Sequence, residues 1–212
     1  MAFKARTPTG YARKIGVYGA ILLSLVSCTM GRPSPIEVGD GGFLTEDPCS
    51  PPCFWGIIPG QTTEADVMGI LQEKGVYDSC ETWDRRSSGG TKGIHCEGFV
   101  IDFTDDVVLG IAFAPSLNIT AQEVIAKYGE PEWAATYASG VHVFTFSVHV
   151  AYPRICAIVV FPSQERLPYI LKPSTRAKSI SYDIDFCTSS YYEADPHWQK
   201  WQGYGEYRPY NW

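Results

Sequence analysis

Seven cysteines, four histidines and a few close carboxylates are the side chains of this 212-residue sequence best suited to do chemistry. Cys49 and Cys53 enclose Ser-Pro-Pro. A thioredoxin-like redox motif has two intervening residues and opens a helix, and a zinc site needs a second Cys/His pair at fitting spacing. Neither condition is met, and the adjacent pair His95-Cys96 cannot chelate. His142 and His149 are seven residues apart in one strand-like run, so they point to opposite faces and cannot share a metal. His197 lies among C-terminal aromatics and reads as a surface residue. Asp102, Asp105 and Asp106 lack the spacing and the glycine of an EF-hand, and read as a solvated turn. Asp183 and Asp185 fall on one face of a predicted strand, the kind of pair that glycoside hydrolysis uses. Nothing in the sequence raises either pKa, so they read as the wet side of a sheet. There is no Gly-x-Ser-x-Gly. No catalytic set, metal or cofactor is expected, and the protein is expected not to be an enzyme. Asn118-Ile119-Thr120 is a glycosylation sequon, but it sits at a helix cap.

The N-terminus reads as an address. Residues 1–28 hold Lys4, Arg6, Arg13 and Lys14 and no acid, and Ile15–Val26 is an uncharged apolar run too short to span a bilayer. Leu25-Val26-Ser27-Cys28 resembles the lipobox of bacterial lipoproteins. That resemblance implies cleavage after Ser27, a lipid on Cys28, and anchoring at the cell membrane or outer membrane on its extracytoplasmic face. Residues 28–47 then read as the lipidated cysteine and a Pro/Gly-rich flexible tether. Without the signal the chain carries 13 basic and 23 acidic residues, net −10. So acidic a body excludes nucleic acid as a partner and attachment to a membrane by charge.

Export also bears on the other six cysteines. Six allow fifteen pairings, and an even number in an exported body implies disulfides. Cys80 and Cys96 flank the turn-rich Arg85–Gly93 segment, which places them across a hairpin. Cys156 and Cys187 lie in two later strand-like runs. Cys49 and Cys53 are left to close a small loop. The expected pairs are therefore 49–53, 80–96 and 156–187.

Two capped helices organise the remainder. Thr63 with Asp66 caps a helix over about 64–74, with Val67, Ile70 and Leu71 on one face and Gly75 as its stop. Thr120 and Glu123 cap a second, with Val124, Ile125 and Tyr128 on its face, ended by Gly129 and Pro131. The two caps are 57 residues apart and share Thr-x-x-[Asp/Glu]-Val, which suggests a duplication. Strands are predicted over Val76–Trp83, Ile94–Phe103 and Val107–Phe113, then over Trp133–Ala138, Val141–Tyr152 and Ile155–Phe161. A last one covers Lys178–Phe186, where Ile180, Tyr182, Ile184 and Phe186 alternate with polar residues. The predicted fold class is α+β: an antiparallel sheet from two related helix-plus-strands repeats, about 54–113 and 114–190 of a body spanning 48–190, with short helices on one face.

Gly56, Ile57, Pro59, Gly60, Thr62, Thr63, Val67 and Leu71, then Thr120, Val124, Tyr128, Gly129 and Pro131, carry a further resemblance. They look like the small outer-membrane lipoproteins of the SmpA/OmlA (BamE-like) type, and like the beta-lactamase-inhibitor-protein fold, which duplicates a helix-plus-sheet unit. The start around Cys53-Phe54-Trp55-Gly56 is also similar to uncharacterised exported lipoproteins. The resemblance implies a non-catalytic module that binds protein or assists the envelope, with an unidentified protein partner. The six body cysteines and the aromatic tail depart from the BamE-like pattern. That tail, 191–212, holds eight of the chain's 29 aromatics. Trp198, Trp201, Tyr204 and Tyr207 could form a platform for a carbohydrate or small ligand. The competing reading, preferred because a bare patch of this size invites aggregation, has the tail folded back over the sheet.

Overall fold

The computed structural model describes residues 36–85, 90–116, 118–140 and 143–210. The signal segment with Cys28, His142 and Trp212 lies outside the described residues.

Both predicted helices form where their caps place them. Helix α1 is Glu64–Glu73 and α2 is Ala121–Tyr128, each with a complete capping box. Thr63 Oγ1 accepts from the Asp66 N–H, and Thr120 Oγ1 from the Glu123 N–H, both at 3.3 Å. Val67 and Leu71 of α1, and Ala121 and Val124 of α2, are buried in the main core.

After α1 come β1 (Glu81–Asp84), β2 (Lys92–Cys96), β3 (Phe99–Thr104) and β4 (Val107–Phe113). After α2 come β5 (Trp133–Ser139), β6 (Thr145–Tyr152), β7 (Ala157–Val160), β8 (Tyr169–Leu171) and β9 (Ser179–Asp183). The C-terminal part adds helix α3 (Ser189–Ala194), β10 (Trp198–Lys200) and β11 (Gly205–Tyr207). Nine strands form one antiparallel sheet in the order β1-β2-β3-β4-β9-β7-β6-β5-β10, while β8 and β11 pair separately. The fold class is thus α+β.

Each half runs from an outer edge inward, and the halves meet at β4 and β9. The two halves share a backbone pattern. The Glu64 N–H donates to Asp106 C=O and the Val108 N–H to Thr62 C=O. In the second half, the Ala121 N–H donates to Thr175 C=O and the Ala177 N–H to Ile119 C=O. The same bridge joins Thr63 to Val107 and Thr120 to Arg176. Aligning Val107 with Arg176 superposes Gly-Ile-Ala-Phe (110–113) on Ser-Ile-Ser-Tyr (179–182). In the sheet Ala112 faces Ser181, while Ile111 faces Tyr182 and Phe113 faces Ile180. That reciprocal register is a local two-fold axis through Ala112 and Ser181.

One sheet face carries Ile94, Ile101, Ile111, Phe113, Val148, Val150, Val159, Ile180 and Tyr182 beneath α1 and α2. Ile36, Val38, Phe43 and Leu44 pack into or against this core, which corrects the tether reading for this stretch. Val38 and Phe43 are buried, and Phe43 C=O accepts from the Tyr128 hydroxyl. Asp40 organises the turn by accepting from the N–H groups of Gly42, Leu44 and Thr45 and from the Thr45 hydroxyl. Burial pushes its carboxyl up, but these hydrogen bonds outweigh burial and hold it below the ordinary value.

Four further expectations change. The predicted strand Val76–Trp83 opens with a 3-10 turn, Tyr77–Ser79, and the strand itself is Glu81–Asp84. The run Ile94–Phe103 is two strands, folded at Glu97-Gly98, with Gly98 at φ +93 and Cys96 facing Phe99. The last strand stops at Asp183, and a short 3-10 turn, Asp185–Cys187, follows. Ile184 is therefore exposed rather than part of the buried row. The third helix, α3, lies on the opposite face from α1 and α2, where Tyr192 packs with Trp133, Ala135, Ala151, Ile158 and Trp198. Among the described residues no helix is long and apolar enough to cross a membrane.

Candidate functional site

All six body cysteines are disulfide-bonded in the expected pairs. Cys49–Cys53 closes its loop beside buried Phe54. Cys80–Cys96 crosses the β1–β2 hairpin at a Cα separation of 4.2 Å. Cys156–Cys187 ties the β6–β7 connection to the turn after β9. Among the described residues no group of three or more His, Cys, Asp or Glu could hold a metal ion.

The four tail aromatics separate. Trp198 enters the sheet opposite Ala135 and is 7% exposed, packed edge-on against Tyr192 at 4.9 Å. Tyr207 is buried in the main core, on the other side of the sheet, with Trp201 stacked on it at 5.9 Å. The indole N–H groups of Trp198 and Trp201 are buried without a hydrogen-bond partner. Only Tyr204, 38% exposed, presents much of its ring to solvent. These residues do not form one open platform, and Trp198 roofs the second sheet face.

A polar cluster lies at the edge of that roof. The Tyr137 hydroxyl donates to Asp195 at 3.3 Å, and Asp195 lies 2.7 Å from His197 Nδ1. His149 packs on the Tyr137 ring at 4.7 Å, with Nε2 3.1 Å from Ser147 Oγ. Burial, helped by the Lys178 charge, pushes the His149 pKa down to about 4, so it is neutral near pH 7.

The roof stops at the two-fold axis. One row of residues crosses the whole second face: Glu81, His95, Val100, Ala112, Ser181, Ile158, Ala151, Trp133 and Lys200. Ile158, Ala151 and Trp133 are buried beneath the tail, with the Lys200 ammonium 3.5 Å from the Trp133 ring centre. On the other side of the axis Ala112, His95 and Glu81 are exposed.

The neighbouring row on the open half is Trp83, Gly93, Asp102, Gly110 and Asp183. Glycine inside a strand weakens it and marks close approach. Here both glycines are overlain. A methyl added at Gly93 would lie 2.3 Å from the Trp83 ring, and one at Gly110 would lie 2.7 Å from Asp183 Oδ2. The Trp83 indole thus lies over the strand on one side of Asp102, and the Asp183 carboxylate over the strand on the other. Trp83, Asp102, His95, Val100 and Thr91 line an open cavity of about 570 Å³.

Both carboxyls are held above their ordinary value. For Asp102 the cause is burial, partly offset by the Thr91 hydroxyl. For Asp183 burial leads; the Asp185 N–H opposes it, and the Asp185 and Asp102 charges add to it. Asp183 and Asp185 do not share a strand face, because the strand ends between them. The partner that sheet order gives Asp183 is Asp102, a pairing the sequence reading missed. The available signals were glycines inside two strand-like runs and the match of 110–113 with 179–182.

Comparison with known protein families, with curated proteins and with solved structures finds no match.

Proposed function

We propose that this is a lipid-anchored, extracytoplasmic, non-catalytic binding module that docks a protein on the open half of its second sheet face. The anchor rests on the basic segment, the short apolar run and Leu25–Cys28. Three disulfides fit an oxidising compartment. The observation that carries the docking surface is the contrast across the two-fold axis. One half of the face is roofed by the chain's own tail, while the other presents half-buried Trp83 and Val100 around a cavity that Asp102 lines, with Asp183 two strands away in the same row. A carbohydrate platform made from the tail is the weaker reading, because Trp198 and Tyr207 are used in packing.

Site-specific photo-crosslinking in intact membranes tests this reading. A photoreactive residue at Val100 or Glu81 is expected to capture one discrete partner, and the same residue at exposed Glu206 none. Equal capture from all three positions would defeat the docking assignment. In parallel, Cys28→Ser is expected to abolish palmitate incorporation and membrane retention, and label that survives the substitution refutes the anchor.

A further inference from the structure

The open half-face has a chemistry that narrows its partner. Among the described residues neither Asp102 nor Asp183 has a cationic partner, although Lys92, on the adjacent strand, pairs with Glu64 on the other face. The two carboxylates lie in register on alternate strands, one to each side of Gly110, with the Trp83 ring over the strand beyond Asp102. An aromatic face together with carboxylates is the arrangement that holds an ammonium or guanidinium group, through cation–π attraction and charge-assisted hydrogen bonds. Arg85 also lines the cavity.

The strand beside the slot is the edge of the sheet: β1 has β2 as its one neighbour in the strand order. On the opposite edge β10, a piece of the chain's own tail, adds itself to β5 in antiparallel register. An extended segment lying along β1 would mirror that arrangement, with alternate side chains directed onto the open face.

Resting on the docking reading above, we infer that this slot seats a lysine or arginine side chain presented by an extended segment of a partner protein, between the indole of Trp83 and the carboxylates of Asp102 and Asp183. The body's net charge of −10 reinforces the match, since it steers a basic segment toward the protein.

The test uses the full chain in nonionic detergent and fluorescence anisotropy of two dye-labelled probes, acetyl-Thr-Lys-Thr-Lys-Thr-amide and its glutamine counterpart. The lysine probe is expected to bind at least about tenfold more tightly than the glutamine probe, and more weakly as salt rises. Asp102→Asn with Asp183→Asn, and separately Trp83→Leu, are expected to weaken the lysine probe about tenfold, with Glu206→Gln without effect. The two Asn substitutions are expected not to lower the melting temperature, because burial already disfavours the charged forms; this separates lost binding from lost folding. Equal binding of both probes overturns the cation assignment and leaves docking at the face in place. An equal loss with Glu206→Gln overturns it in favour of diffuse charge attraction. Failure of both probes also overturns it, and the Val100 crosslink then reports separately whether the face docks anything.

Discussion

Replacing Trp198 with alanine decides whether the aromatic tail is wall or platform. The ring is 7% exposed and packs with Trp133, Ala135, Ala151, Ile158 and Tyr192. Removing a buried Trp to Ala costs about 3–5 kcal/mol through lost transfer energy and the cavity left behind. In a domain of this size each kcal/mol moves the melting temperature by roughly 2–4 °C, so a fall of about 6–20 °C is expected. The indole N–H has no hydrogen-bond partner. Trp198→Phe keeps a large ring in the same packing and is expected to lose about half as much or less. Tyr204→Ala is the internal control: at 38% exposed, its cost is expected to stay within about 1 kcal/mol. Thermal and urea unfolding followed by far-UV circular dichroism measure all three. A Trp198→Ala cost no larger than that of Tyr204→Ala would refute the wall reading and return these aromatics to the solvent-facing role.

Two further outcomes follow from the same structure. Burial and Lys178 hold the His149 pKa at about 4 against an ordinary 6.5, so between those values the unfolded chain binds the extra proton. The stability His149 contributes by staying neutral is full above pH 6.5 and is lost as the pH falls to 4, about 3 kcal/mol in all. His149→Phe is expected to flatten the pH profile of stability by that amount, and an unchanged profile defeats the assignment. Among the disulfides, Cys156–Cys187 spans 31 residues and Cys49–Cys53 spans four. Loop-closure entropy then predicts a loss of about 3–4 kcal/mol for the Cys156→Ser, Cys187→Ser double variant and about 2 kcal/mol for Cys49→Ser with Cys53→Ser, measured by urea unfolding. The reverse order would contradict this account.

What the sequence made legible was local. Thr63 and Asp66, or Thr120 and Glu123, are three residues apart, so each cap announces its helix without help from the fold. The pairing of Cys80 with Cys96 was legible because a turn-rich segment separates them. The Glu97-Gly98 turn had a signal, a glycine inside an alternating run, but the apolar positions on both sides made the run look continuous. Residues 36–47 show no periodicity, yet the four acceptor contacts of Asp40 shape them into a turn, and Val38 and Phe43 seat that turn in the core. The juxtaposition of Asp102 and Asp183 was out of reach: 81 residues separate them, and only the meeting of β4 with β9 brings them to either side of Gly110.

That meeting also explains why two related halves carry unlike surfaces. The two-fold axis maps Val100 onto Ile158, His95 onto Ala151 and Glu81 onto Trp133. A chain with one C-terminal tail can roof only one half, here with Trp198 and Tyr192. Apolar residues on the bare half would expose a sticky sheet, so solubility accounts for Glu81 and His95 in place of Trp133 and Ala151. Solubility does not account for Asp102 and Asp183. Both are partly buried, and the charged form of each is penalised by that burial. Serine or threonine at these positions would keep the face polar at lower cost. Groups that tax the fold, in register about a glycine and beside an aromatic ring, have a physical rationale once a cation from outside completes them.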